Sequence, residues 1–110
     1  MTGQIPFSVL DFAPVRSGET PREALQQVVD LACEAEALRF KRFWVVEHQG
    51  QPSVASAATP VIIGHIAGKT STIRVGAGGV MLPNHSPLVI AEQFGTLGRA
   101  LWLARKASRQ

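Results

Sequence analysis

Short apolar runs and longer amphipathic stretches alternate three times along this 110-residue chain. Ile5 to Leu10 reads as a strand, with Asp11 at its carboxyl end. After a loop through Pro14, Ser17 and Gly18, Thr20-Pro21-Arg22-Glu23 has the marks of a helix start. The threonine caps, the proline suits the first helical position and the glutamate completes a capping box. Leu25, Val28, Ala32, Ala35 and Leu38 then recur at helical spacing, the core-facing stripe of an amphipathic helix. Phe43 to Val46 is apolar without alternation, as expected of a strand covered on both faces, and runs into Glu47-His48-Gln49-Gly50. Thr59-Pro60 predicts a second capped helix, from Val61 to Ala67, with Gly68 as its C′ residue. Ile73 to Ala77 predicts a third strand, ending in Gly78-Gly79. Ser86-Pro87 opens a third helix with Ile90, Ala91, Phe94, Leu97 and Leu101 as its stripe.

The order β-α-β-α-β-α with short connections implies a parallel sheet with right-handed crossovers. Doubly wound sheets and (β/α)8 barrels share this pattern, and a complete barrel takes about 250 residues. The chain is long enough for one modest domain. Its 45% apolar and 17% charged residues are those of a globular protein with a core. No apolar run approaches the roughly 18 residues of a membrane span, and no signal-peptide pattern opens the sequence. The single cysteine, Cys33, leaves no internal disulfide framework and fits a reducing cytoplasm.

The net charge of +3 is localised. Residues 1–98 carry a net −1, and residues 99–110 carry +4 from Arg99, Arg105, Lys106 and Arg109. A short basic tail without interleaved aromatics or a zinc pattern does not point to specific nucleic-acid binding.

Candidate chemistry gathers where strands end, the place where parallel α/β folds bind ligands. Gly76-Ala77-Gly78-Gly79-Val80-Met81 fails as a dinucleotide cradle: Met81 stands in the third glycine's place, and the next helix starts too late to aim at a pyrophosphate. Two adjacent residues without Cβ instead allow unusual backbone angles and the close approach of something flat. Glu47-His48 follows the second strand, where a histidine can move a proton and a neighbouring carboxylate can orient or charge it. His85 lies in the loop after the third strand and can converge on the same mouth. His65, beside Ile62 and Ile66, reads as structural, and no third ligand completes a metal site with His48 and His85.

Several segments resemble the amino-terminal part of the bacterial luciferase-like flavin monooxygenases. They are Ser8 to Asp11, Val46-Glu47-His48, Ala55 to Pro60, Ile63 to Gly68 and, longest, Ser71 to Leu97, which contains Ile73-Arg-Val-Gly-Ala-Gly-Gly-Val-Met-Leu-Pro-Asn-His-Ser-Pro87. The resemblance covers residues 5–97 and implies the first three βα units of a (β/α)8 TIM barrel with parallel strands, the barrel incomplete within this chain. It implies reduced FMN supplied by a separate flavin reductase, O2 and a small organic substrate, with a homo-oligomer as a further expectation. His48 would then act as base or proton donor with Glu47 beside it, and Ala77, Gly78 and Gly79 would support the flavin ring. A cis or strongly twisted Gly78–Gly79 bond is also expected, a geometry costing about 2.5–4 kcal/mol in general.

Three departures qualify this. Gln49 replaces a second histidine common in the family, and Arg39 replaces a helix-ending glycine, at a cost of roughly 1 kcal/mol. Residues 98–110 read as a basic tail unlike the family. The expectation is a partial barrel domain over residues 1–97, in a truncated or frame-shifted product with little activity alone. Hydride transfer with the deazaflavin coenzyme F420, and a non-catalytic interaction module, are the alternatives.

Overall fold

The computed structural model describes residues 5–108, with side-chain surroundings through residue 100. Its elements follow the expected order: β1 (Ser8–Asp11), α1 (Pro21–Ala37), β2 (Arg42–Val45), α2 (Thr59–Ala67), β3 (Arg74–Ala77), a 3-10 turn (Leu82–Asn84) and α3 (Pro87–Ser108). The strands form one parallel sheet in the order β1-β2-β3, so β1 and β3 are both edges. This is the architecture of three consecutive βα units of a (β/α)8 barrel, open along both edges.

Local chemistry sets the ends of α1. Thr20 Oγ1 accepts the Glu23 N–H, and Glu23 Oε1 accepts the Thr20 N–H in return, the expected capping box. Just beyond its far end, Arg39 sits at φ 64°, the left-handed conformation a glycine would adopt without strain. Ala24, Val28, Val29, Ala32 and Ala35 are the buried face of α1, while Leu38 is exposed because it lies past the helix's last residue.

At α2 the expected cap is not made. Ala58 is the N-cap and offers no side-chain bond; Thr59 lies inside the helix and its hydroxyl donates to Glu47. Gly68 ends α2 at φ −70°, a right-handed conformation, in place of a left-handed C′ position. His65 is exposed, not packed as a structural histidine. On α3, Ile90, Phe94 and Leu97 are half-buried and Ala91 is exposed; Leu101 lies outside the residues whose side chains are described. Helix α3 continues through Gly98 to Ser108 with no break at residue 97.

The core lies between one face of the sheet and helices α1 and α2. Phe43 and Val45 are fully buried there with Val28, Ala32, Ile62, Ile66 and Ile73. The continuous apolar run of β2 is therefore not covered equally on its two faces. Phe43 and Val45 face the helices, whereas Trp44 is half-buried on the opposite face, level with Leu10 and Gly76. Leu10 is 54% exposed, so an apolar surface stands open on that side of the sheet.

Glycine is required on this open face. A Cβ at Gly76 would lie 2.8 Å from the Trp44 ring, and one at Gly78 would lie 2.8 Å from Leu10 Cδ1. Both neighbours lean over bare backbone.

The loops at the carboxyl ends of the strands are stitched to one another. The Ala55 N–H donates to Ala13 O and the Val15 N–H to Ser53 O, at 2.9 and 2.8 Å. Buried Ser56 donates its hydroxyl to Phe12 O at 3.0 Å. At the opposite end of the sheet, Glu36 of α1 accepts the backbone N–H groups of Ser71, Thr72 and Ile73, which fixes the entry to β3.

Candidate functional site

The mouth of the sheet is assembled from three loops, those after β1, β2 and β3. The pleat of β2 continues past its last paired residue: Val45 is buried, Val46 half-buried, Glu47 buried and His48 exposed. Successive side chains of an extended segment point to opposite sides. Glu47 therefore turns inward among the helix-side groups, and His48 emerges at the mouth.

The structure brings Glu47 together with His85. Glu47 Oε2 lies 2.8 Å from His85 Nε2 and accepts the Met81 N–H at 3.0 Å, while Oε1 accepts the Thr59 hydroxyl at 3.2 Å. The Glu47 side chain is 1% exposed and that of His85 28%. Burial pushes the Glu47 carboxyl up, but hydrogen bonds from His85, the Gln49 side chain and Met81 N–H outweigh it, and the pKa lies below the usual carboxyl value. Glu47 is thus held as a carboxylate acceptor by neighbours other than His48.

His48 is anchored through its backbone, whose N–H donates to Ser56 O at 2.9 Å. Its ring is open to solvent and stacks near Phe12, with centroids 6.3 Å apart and planes 20° apart. Gln49, in the place of a second histidine, joins the loops: its amide nitrogen donates to Ala57 O, and its oxygen accepts from Asn84 Nδ2, both at 3.0 Å.

The glycine pair forms the rim opposite. The Gly78 N–H donates to Val45 O at 2.7 Å, extending the ladder by one bond. Gly79 has φ 153°, a backbone conformation that L side chains rarely adopt, with open space where a Cβ would be. The expected cis Gly78–Gly79 bond is not formed, since no cis peptide occurs among the described residues. Ala77 pairs with Val45 and shares its side of the sheet, so it meets the mouth through its backbone.

Phe12, Leu10 and Met81 are exposed beside this rim. A flat apolar surface edged by side-chain-free backbone fits one face of a planar aromatic ring. Within the loops of residues 46–58 and 78–86 no Lys or Arg is present to neutralise a phosphate. No cluster of three or more metal-ligating side chains occurs among the described residues, and no helix among them is long and apolar enough to cross a membrane.

The sequence profile of the luciferase-like monooxygenases matches residues 5–101. The chain belongs to that family. A luciferase-like monooxygenase of Escherichia coli (strain K12) is 56% identical over 93 residues, which are 84% of this chain and 28% of that protein. The N-acetyl-S-alkylcysteine monooxygenase of Bacillus subtilis (strain 168) is 42% identical over the same shares of the two chains. Among solved structures, apo-MsnO8 superposes with a TM-score of 0.86 at 44% identity, over 89% of this chain and 30% of that one. The oxygenating constituent of 3,6-diketocamphane monooxygenase from Pseudomonas putida, solved with FMN, superposes with a TM-score of 0.82. It is 19% identical over 89% of this chain and 27% of that one, a likeness of fold. The chain thus spans less than a third of the length of these relatives.

Within this family segment, the residues singled out from sequence divide into two groups. His48, Gly78 and Gly79 edge the open mouth, while Glu47 is enclosed behind it with His85. Sequence reasoning passed over Thr59 as a partner of Glu47 and gave Gln49 and Asn84 no part in joining the loops. The period-two geometry of an extended strand was available as a signal, because continued past Val45 it separates Glu47 from its chain neighbour.

Proposed function

We propose that this chain carries the ring-binding side of a flavin-dependent monooxygenase site acting on a small organic substrate. The observation that carries this reading is the juxtaposition of the open Leu10–Trp44 surface, the bare Gly78–Gly79 rim and the exposed His48. Ala77, Gly78 and Gly79 would offer backbone to one face of the ring. Reduced FMN, when bound and replenished by a separate reductase, would supply the electrons that leave one oxygen atom of O2 on the substrate and the other in water. His48 gives or takes a proton at a ring nitrogen beside that ring. Phe12 lies near the imidazole with its ring roughly parallel, centroids 6.3 Å apart. Glu47 supports the loop rather than reaching His48. The setting we infer is the cytoplasm.

The 110 residues alone are expected to bind FMN more weakly than micromolar. Barrels of this kind grip phosphate with the loops after strands seven and eight, and the loops after β2 and β3 hold no cation for it. Fluorescence titration of the chain with FMN measures this, and micromolar affinity would overturn the weak-binding expectation.

The activity is tested in a chimera whose first barrel units, in the 56%-identical Escherichia coli relative, are replaced by residues 5–97 of this chain. Oxygen-dependent turnover with reduced FMN is expected, and His48→Asn should lower it about 10²-fold or more. Turnover with reduced deazaflavin and no oxygen uptake would favour hydride transfer instead. A chimera that folds and binds FMN but is indifferent to His48→Asn would remove the histidine from the chemistry.

A further inference from the structure

We propose that Glu47 is a positioning residue: together with His85, it sets the path of the Gly78–Val80 turn from behind the mouth. The turn has two anchors. Gly78 N–H is tied to Val45 O at 2.7 Å, and Met81 N–H to Glu47 Oε2 at 3.0 Å. Between them lies Gly79, at φ 153° and touching nothing on its Cβ side. Gly78 rests against Leu10 and Val46 and Val80 is half-buried, so the unsupported residue is Gly79, and its path is set by where the two anchors stand.

The first anchor belongs to the sheet. The second depends on one carboxylate, and that carboxylate is itself fixed from two further directions. Thr59 at the start of α2 donates to one oxygen, and His85 shares the other with Met81. Glu47 therefore ties the end of β2, the first turn of α2 and both ends of the 3-10 turn into one knot around a buried carboxylate. Met81 and His85 flank that turn, so fixing both holds Leu82–Asn84 as a rigid bridge. Charged hydrogen bonds shielded from water are stronger than neutral ones, and loss of one donor leaves the buried acceptor short of partners.

The importance of the turn for a bound ring rests on the flavin reading above. The clamp itself does not, and the two are separable by measurement. Amide hydrogen exchange followed by NMR on the 110-residue chain tests the clamp. In His85→Leu, the Met81 amide should exchange about tenfold faster or more, and Val80 should follow. The Glu23 and Ala24 amides of α1 should keep their rates. His85→Gln keeps a side-chain N–H donor and should restore protection at Met81. Unchanged Met81 exchange in His85→Leu would overturn the proposal. So would a uniform acceleration across α1 and β2, which is loss of global stability, or a failure of His85→Gln to rescue.

In parallel, FMN added to the unmodified chain at millimolar concentration should move the Gly78, Gly79 and His48 amide resonances, and His85→Leu should shrink those movements. If FMN moves none of them while Met81 exchange responds as described, the flavin reading fails and the clamp stands. If FMN moves all three equally in both proteins, the clamp does not position the turn for a ring.

Discussion

Phe43 and Trp44 are adjacent in one strand and lie in different surroundings. Phe43 is fully buried among α1, α2 and Ile73, in a core that closes within these residues. Trp44 lies on the other face over Gly76, beside a half-exposed Leu10 and below a mouth built of loops. The covered side is held by apolar packing and by Glu36, whose carboxylate gathers the N–H groups of Ser71, Thr72 and Ile73. The loops of the mouth are held by polar ties, Glu47 with His85 and Gln49 with Asn84, while the open side leaves its apolar surface and His48 available. Stability and availability are thus divided between the two faces of one sheet.

The largest expected effect is a test of that division. Phe43→Ala should destabilise the chain by about 3–5 kcal/mol, and Trp44→Ala by only about 1–2 kcal/mol, because truncating a half-buried side chain on the open face leaves no closed cavity. Urea denaturation of both variants measures the difference; equal losses would mean that the open face is as closed as the other.

Next comes the carboxylate that serves the covered side. Glu36→Ala should cost about 1.5–3 kcal/mol, since three backbone donors lose a charged acceptor. For Glu36, burial raises the pKa and the bonds from Ile73, Thr72 and Ser71 lower it further, for a net value below the usual 4.5; Glu47 is also lowered. A folded pKa below the unfolded one means that the unfolded chain binds more protons, so stability rises with pH. The contribution of both groups is full above about pH 4.5 and is lost as pH falls through their folded values. Acid unfolding of the Glu36→Gln variant should show a shallower pH slope below 4.5 than the parent.

Gly76→Ala probes the open face from below. Its methyl would stand 2.8 Å from the Trp44 ring, and a cost of about 1–3 kcal/mol is expected, with a changed Trp fluorescence as the indole moves. The smallest effect has the opposite sign. Arg39→Gly should stabilise by up to about 1 kcal/mol by relieving the left-handed conformation at φ 64°, without altering amide exchange around Met81.

Much of the covered side was legible in the sequence. The capping box at Thr20 and Glu23, the spacing of Val28, Ala32 and Ala35, and the strained Arg39 follow from local rules that neighbours in space do not override. The misreadings lie where a distant partner competes with a local rule. Thr59 looked like a cap, but its hydroxyl is taken by Glu47, twelve positions earlier in the chain. Glu47 looked like a companion to His48, but the pleat separates adjacent side chains, and His85, thirty-eight positions later, supplies its partner.

The sequence by itself determined the order of elements, the parallel sheet and the family. These depend on spacing and backbone freedom, which a single chain segment encodes. The tertiary structure decided which residues meet at the mouth: His85 with Glu47, Asn84 with Gln49, and Trp44 over Gly76. A hydrogen bond or a close contact depends on positions fixed by three loops at once, and no one of those loops contains the information that places the other two.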